Sequence, residues 1–278
     1  MRISKQDKRV NFSKILEESK QCTVFLPSSI SECLQCISYI VGWHNRYDRI
    51  SFVTNDQFIT FFQNLDLPES IKFTTDSKNG DNKNENIIIN LYKKRKIKSL
   101  SPKKKKVVFD INNKGNIHFL PSPDSCIELI HEISYYCQLP YKNRDLSIKK
   151  DQTEQYAIPF VQNQKNNIVF HTSKLTNLPL LINKINERAK VNFYVCGKIN
   201  GKLHNMGVRS IQPNTFYQLF LIARKSDVLL TDDDETHQVL TKHEVNAMRL
   251  PSKLVLSANN GQIKNLLNEI DKYIFNKQ

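Results

Sequence analysis

This 278-residue sequence predicts an α/β fold made of two tandem Rossmann-like domains. Three observations carry the prediction. Short apolar runs alternate with segments of helical period. Those runs are apolar throughout, as strands buried on both faces of a parallel sheet are. The same alternation restarts after residues 141–166, which carry little periodicity. The expected division is an N-terminal domain over 1–145, a linker over 146–166 and a C-terminal domain over 167–278, with a cleft between the domains.

In the first half, CTVFLP (22–27) reads as a buried strand, and the stretch from Ser31 to about Asn45 reads as a helix. Its apolar face is formed by Leu34, Ile37, Tyr39, Ile40 and Val41. RISFVT (49–54) is the next strand, and Asn55 or Asp56 can cap the helix DQFITFFQNL that follows. SIKFTT and NIIINLY are two more strands, separated by the polar run DSKNGDNKNEN, which reads as a solvated loop. VVFDI and NIHFLP flank a turn at Lys114-Gly115, and SCIELIHEISYYCQLP (125–140) is a helix. After the break come the strand NIVFHT, the helix LPLLINKINERA, the strands VNFYVCG and GVRSI, and the helix TFYQLFLIARKS. The strands DVLLTD and KLVLS and a closing helix over about 261–275 complete the pattern, and the last helix is expected to pack back across the cleft.

Composition narrows the function. The formal charge is +14, with Lys and Asn abundant, and the whole chain has seven glycines. Few positions are therefore open to a Gly-rich phosphate loop. No run of about 18 apolar residues exists, and the first 20 residues have no secretory h-region, so a cytoplasmic protein is expected. Six cysteines lie mostly in apolar segments and read as buried thiols. Cys33 and Cys36 form a C-x-x-C without a second pair, so no metal site and no cofactor are expected.

The C-terminal half resembles the heptosyltransferase-like glycosyltransferases, family 9, which have the two-Rossmann-domain GT-B fold. VNFYVCG resembles the family's apolar strand ending in glycine. TFYQLFLIARKSDVLLTDDDETH resembles its helix, Leu-Ile-Ala-Arg-Ala-Asp, strand and Asp-Thr-Gly-x-x-His segment. AMRLPSKLVL (247–256) resembles the small-residue helix end, proline and final strand that follow. PSSISECLQ resembles the loop after the family's first strand, with Glu32 at the position of its catalytic Asp. The resemblance implies an N-terminal acceptor-side domain and a C-terminal donor-side domain. It also implies an inverting sugar transfer from a nucleotide-sugar donor to a glycan or glycolipid acceptor. Glu32 would take the proton from the attacking hydroxyl, a role worth roughly 10²–10⁴-fold in rate. Asp232, His237 and Lys174 would hold the donor, and His171 at the same strand end is a further candidate. The sequence departs from the family at Asp233 and Asp234, which replace Thr-Gly, and at 257–260, where Ser-Ala-Asn-Asn replaces Gly-Pro-Thr.

Each candidate also has a plain structural reading. Glu32 suits the first turn of a helix, Asp232 and Asp233 suit an N-cap, and Lys174 suits a solvated surface. The stretch from Lys72 to Lys114 contributes +9 of the net charge, and Lys93, Lys94, Arg95, Lys96 and Lys103, Lys104, Lys105, Lys106 form its core. That segment, 93–106, could hold the protein peripherally on an anionic membrane surface at the inner face. Nucleic acid is the rival partner, with only Tyr92 available for stacking. A catalytically inactive GT-B-fold binding or assembly module, favoured by the degenerate donor motif, is the alternative to an enzyme.

Overall fold

A computed structural model describes residues 18–75, 87–93, 107–112, 125–149, 160, 166–172, 178–250 and 260–275. The strand expected over 116–121, the Lys114-Gly115 turn and the strand KLVLS lie outside the described residues, as do Lys174, Lys94, Arg95, Lys96 and Lys103 to Lys106. The chain divides into two compact units, residues 1–149 and 150–278.

The first unit holds β1 (Gln21–Phe25), α1 (Ile30–Ile40), β2 (Arg49–Thr54), α2 (Asp56–Gln63), β3 (Ile71–Thr75), β4 (Ile87–Asn90), β5 (Val107–Asp110) and α3 (Cys126–Tyr136). Its sheet runs in the order β3-β2-β1-β4-β5, all pairs parallel. Local chemistry sets the helix starts. Ser29 is extended and its hydroxyl accepts from the Glu32 N–H at 3.2 Å; Asn55 caps α2 in the same way, and Ser125 and Glu128 form a capping box on α3. Residues 41–45 tighten into a 3₁₀ turn after α1. Trp43, wholly buried there, donates its indole N–H to the Pro140 carbonyl at 3.0 Å. The stretch after α3 has no helix, yet it is held to this unit. The Arg144 N–H donates to the Ser38 carbonyl, Leu146 is buried, and Leu65 bridges Ile148.

The second unit holds β6 (Asn166–His171), α4 (Leu178–Asn186), β7 (Val191–Cys196), α5 (Gly201–Asn205), β8 (Arg209–Ile211), α6 (Phe216–Lys225), β9 (Val228–Thr231), α7 (Asp234–Lys242), β10 (Ala247–Arg249) and α8 (Asn260–Phe275). Its order, β10-β9-β6-β7-β8, repeats that of the first sheet: each unit's first strand lies at the centre, with its second and fourth strands beside it. All pairs are again parallel. The strands pack as the apolar runs require, with every residue of β9 buried. The final helix belongs to this unit's own core. Leu266, Leu267, Ile270 and Ile274 recur at helical spacing and are buried with Ile168, Leu181 and Phe193. Arg188 fastens the helix from outside, through Asp271 at 2.6 Å.

Residues 247–249, expected as the end of a helix, are a strand paired with β9. The helix before them stops at Lys242, and Glu244 takes a positive φ of 58° in the turn that follows. That turn lets Val245 and Ala247 bury and redirects the chain into the sheet.

Candidate functional site

In a doubly wound sheet the central strand sends its crossovers to opposite sides, which leaves a crevice beyond its carboxyl end. In the second unit that point lies between β6 and β9, where His171 is in register with Thr231. The His171 Nδ1 and Thr231 Oγ1 are 3.0 Å apart. One residue further on, the Thr172 hydroxyl donates to Asp232 Oδ2 at 2.8 Å. The Thr231 hydroxyl also accepts from the Asp233 N–H at 3.1 Å, fixing the turn from strand to helix. Burial pushes the His171 imidazole below its ordinary range, and the Asp233 and Asp232 carboxylates push it partly back.

The acids that crowd this stretch of sequence are dispersed by the fold. Asp227 lies at the opposite end of β9, where its Oδ2 accepts from the Asn167 N–H at 2.6 Å. Asp233 is the N-cap of α7, its Oδ2 accepting from the Thr236 N–H at 3.1 Å and from the Thr236 hydroxyl. Asp234 pairs with Arg249, at 2.5 Å from Nε and 2.8 Å from Nη2. This arginine comes from β10, so the acidic run has a counter-cation from outside itself. Both side chains are more than half exposed, which limits such a pair to about 0–1 kcal/mol. His237 is half-buried on the second turn of α7, three residues from Asp234 and therefore on the same face of the helix. Its imidazole has no hydrogen-bond partner among the described residues.

β7 leaves the sheet through Gly197 at φ 119°, a left-handed conformation that a side chain would strain. The Gly197 N–H donates to the Ile211 carbonyl at 2.8 Å, tying this exit to β8.

In the first unit the corresponding point lies between β1 and β4, where Phe25 is in register with Asn90. Buried Asn90 donates to Asp110 Oδ1 at 2.8 Å, and the same oxygen accepts from the Asn112 N–H at 2.9 Å. Glu32 is exposed in the first turn of α1, and Lys93 is exposed just past β4. Both fields reach the Cys126 thiol, which donates to the Leu91 carbonyl at 3.3 Å. Its hydrogen bond with Cys36 draws that thiol below the ordinary range, against burial and the Glu32 charge.

The structure thus brings Asp232 and His171 to one sheet end of the second unit, leaves His237 a turn further on in α7, and sets Glu32 and Lys93 at the matching end of the first. Arg249, Thr172 and Thr231 escaped the sequence reading. Thr172 and Thr231 were available as strand-end residues, whereas Arg249 was hidden by the assignment of 247–256. Among the described residues no three His, Cys, Asp or Glu side chains are grouped to hold a metal ion, and no helix is long and apolar enough to cross a membrane.

Two Rossmann-like sheets of identical strand order, in tandem, make up the GT-B type of fold. No protein-family model and no curated protein matches the chain. Among solved structures, it is similar to the ADP-heptose LPS heptosyltransferase II of E. coli, with a TM-score of 0.53 over 92% of this chain and 99% of that one, at 10% identity. A glycosyl transferase family 9 protein from Veillonella parvula matches over 90% and 91% of the two chains, with a TM-score of 0.49 and 10% identity. The iron-containing dodecameric glycosyltransferase TibC of enterotoxigenic E. coli is longer. This chain spans 58% of it, with 84% of its own length, a TM-score of 0.46 and 8% identity. The E. coli heptosyltransferase II supplies the fold assignment: the chain has a heptosyltransferase-like GT-B fold.

Proposed function

We propose that the protein is a glycosyltransferase that moves a sugar from a nucleoside-diphosphate donor to a glycan or glycolipid acceptor. The observation that carries the reading is the polar group at the switch point of the second sheet, where His171, Thr231, Thr172 and Asp232 interlock at the carboxyl ends of β6 and β9. Ligands of open α/β sheets bind there. The similar E. coli protein is named for an ADP-heptose donor, which agrees with the donor class proposed.

In this reading the acceptor hydroxyl attacks the anomeric carbon and Glu32 takes its proton. The bond from that carbon to the phosphate oxygen breaks, and the nucleoside diphosphate leaves with the electron pair. Exposure of Glu32 at the start of a helix suits a base that must meet an incoming hydroxyl. Asp232 and His237 serve the donor side, and Lys174 is assigned the same role from the family resemblance. The basic segment 93–106 holds the first unit to anionic head groups, which suits a lipid-linked acceptor.

The test is a thermal-shift screen of the whole chain against UDP-, GDP-, ADP- and dTDP-linked sugars. A ligand at 100 times its dissociation constant stabilises the folded state by about 2.7 kcal/mol, a shift of several degrees. Stabilisation by one donor class, followed by nucleotide release with a glycan acceptor, supports the reading. No shift at millimolar concentration of any of them removes it and leaves a binding module.

A further inference from the structure

Arg249 ends β10 in register with Thr231, which in turn is in register with His171. The shared register therefore sets the Arg249 backbone two strands from His171, which flanks the switch point. Parallel strands lie about 4.8 Å apart, so the separation is roughly 10 Å, a span that an extended arginine and a diphosphate cover together. Asp234 pairs with the Arg249 guanidinium through two contacts of 2.5 and 2.8 Å, from Nε and Nη2. Asp234 is the first residue of α7, on the face that also carries His237.

The guanidinium fork donates to a carboxylate and to a phosphate in the same two-point geometry. Asp234 thus presents to Arg249 the same pair of oxygens that a donor phosphate would. Exposure of both partners keeps the ion pair weak and exchangeable. A carboxylate released at this position stays favourable, because it faces solvent at the N-terminus of a helix.

We propose that Arg249 is a diphosphate-binding residue of the donor site, and that Asp234 occupies it until the donor phosphate displaces the carboxylate. This proposal rests on the glycosyltransferase reading above. It explains how two acids can stand at the start of α7 without closing the site to an anion: one is consumed by the helix cap and the other is a placeholder with its own cation. The exchange breaks no covalent bond and moves no proton.

Isothermal titration of the full chain with UDP and ADP, and with UMP and AMP as single-phosphate controls, tests it in wild type, Arg249→Gln and Asp234→Asn. Arg249→Lys, which keeps the charge but not the fork, serves if the Gln variant does not fold. Arg249→Gln should weaken diphosphate binding by about 10–100-fold, the scale of a charged hydrogen bond, and monophosphate binding much less. Asp234→Asn should bind the diphosphate as tightly as wild type or several-fold more tightly. Unchanged diphosphate affinity in Arg249→Gln, or an equal loss for both phosphate classes, overturns the role of Arg249 and leaves the glycosyltransferase reading intact. A loss in Asp234→Asn that equals the Arg249→Gln loss overturns the exchange, since Asp234 would then be positioning the arginine. If wild type binds none of these nucleotides, and neither GDP nor dTDP, the glycosyltransferase reading fails and this proposal fails with it.

Discussion

The Thr172 hydroxyl donates to Asp232 at 2.8 Å, one residue beyond the His171–Thr231 contact that joins the central strand of the second sheet to its neighbour. The Thr172–Asp232 contact carries the pairing one residue past His171 and Thr231, the last register pair of the ladder, so the exits of β6 and β9 are tied side by side. Thr172→Val removes the donor and keeps the shape. It should lower stability by about 0.5–1.5 kcal/mol and, if Asp232 lies on the donor side, weaken nucleotide binding as well. Chemical denaturation and titration of the same preparation separate the two effects. Unaltered nucleotide affinity would take Asp232 off the donor side.

Glu32→Gln keeps the size and the helix start but cannot accept a proton. Turnover should fall by about 10²–10⁴-fold, with donor affinity unchanged and the melting temperature only slightly lower, because one acid is lost from a helix N-terminus. The measurement is nucleotide release at saturating donor. A variant that turns over as wild type does would exclude Glu32 as the base.

Asp233→Ala deletes the N-cap of α7, whose carboxylate holds the Thr236 N–H and hydroxyl. The expected loss is about 1 kcal/mol. Asp233→Asn and Asp233→Ser, which also cap, should recover most of it in urea unfolding. If neither does, the charge rather than the cap is what stabilises the helix.

Two histidines of the second unit are held below their ordinary range, His171 by burial and His243 by burial and the adjacent Lys242. Each therefore binds its proton more weakly when folded than when unfolded. Their share of stability is complete above the ordinary histidine value of about 6.5 and is lost as pH falls from there through the folded values. The melting temperature should drop on acidification through that window, and less steeply in a His171→Gln, His243→Gln double variant. An unchanged slope would place the acid sensitivity on other groups.

Replacing Lys103 to Lys106 by Gln should reduce co-sedimentation with anionic vesicles and leave the weak binding to neutral vesicles as it was. Wild-type binding should also fall steeply with added salt, because attraction between exposed charges is screened over about 8–10 Å at physiological ionic strength. Equal pelleting on both vesicle types would end the membrane proposal.

The sequence made the sheets legible because buried parallel strands leave short unbroken apolar runs, as at III (87–89), IVF (168–170) and VLL (228–230). Strand order was not legible from periodicity, since pairing depends on contacts far apart in the chain. At the site, His171 and Asp232 stood out as polar residues following apolar runs. Their partners did not, because Thr172 and Thr231 look like any strand-end threonine until register brings them opposite His171 and Asp232. Arg249 was the hardest to see. Its strand has three residues, too short for a period, and the turn before it depends on a non-glycine residue, Glu244, adopting a positive φ. The acids of 227–235 looked like one electrostatic object in the sequence, whereas a strand separates Asp227 from the rest and three successive aspartates take three different partners.

The chain's one tryptophan, Trp43, is sealed within the first unit and bonded to Pro140. It makes the two halves of the molecule optically unequal. Indole emission reports on one core and is silent about the other, whereas circular dichroism sums both. A lag between the two signals during unfolding would therefore measure, without any label, how far the fate of one unit is tied to that of the other.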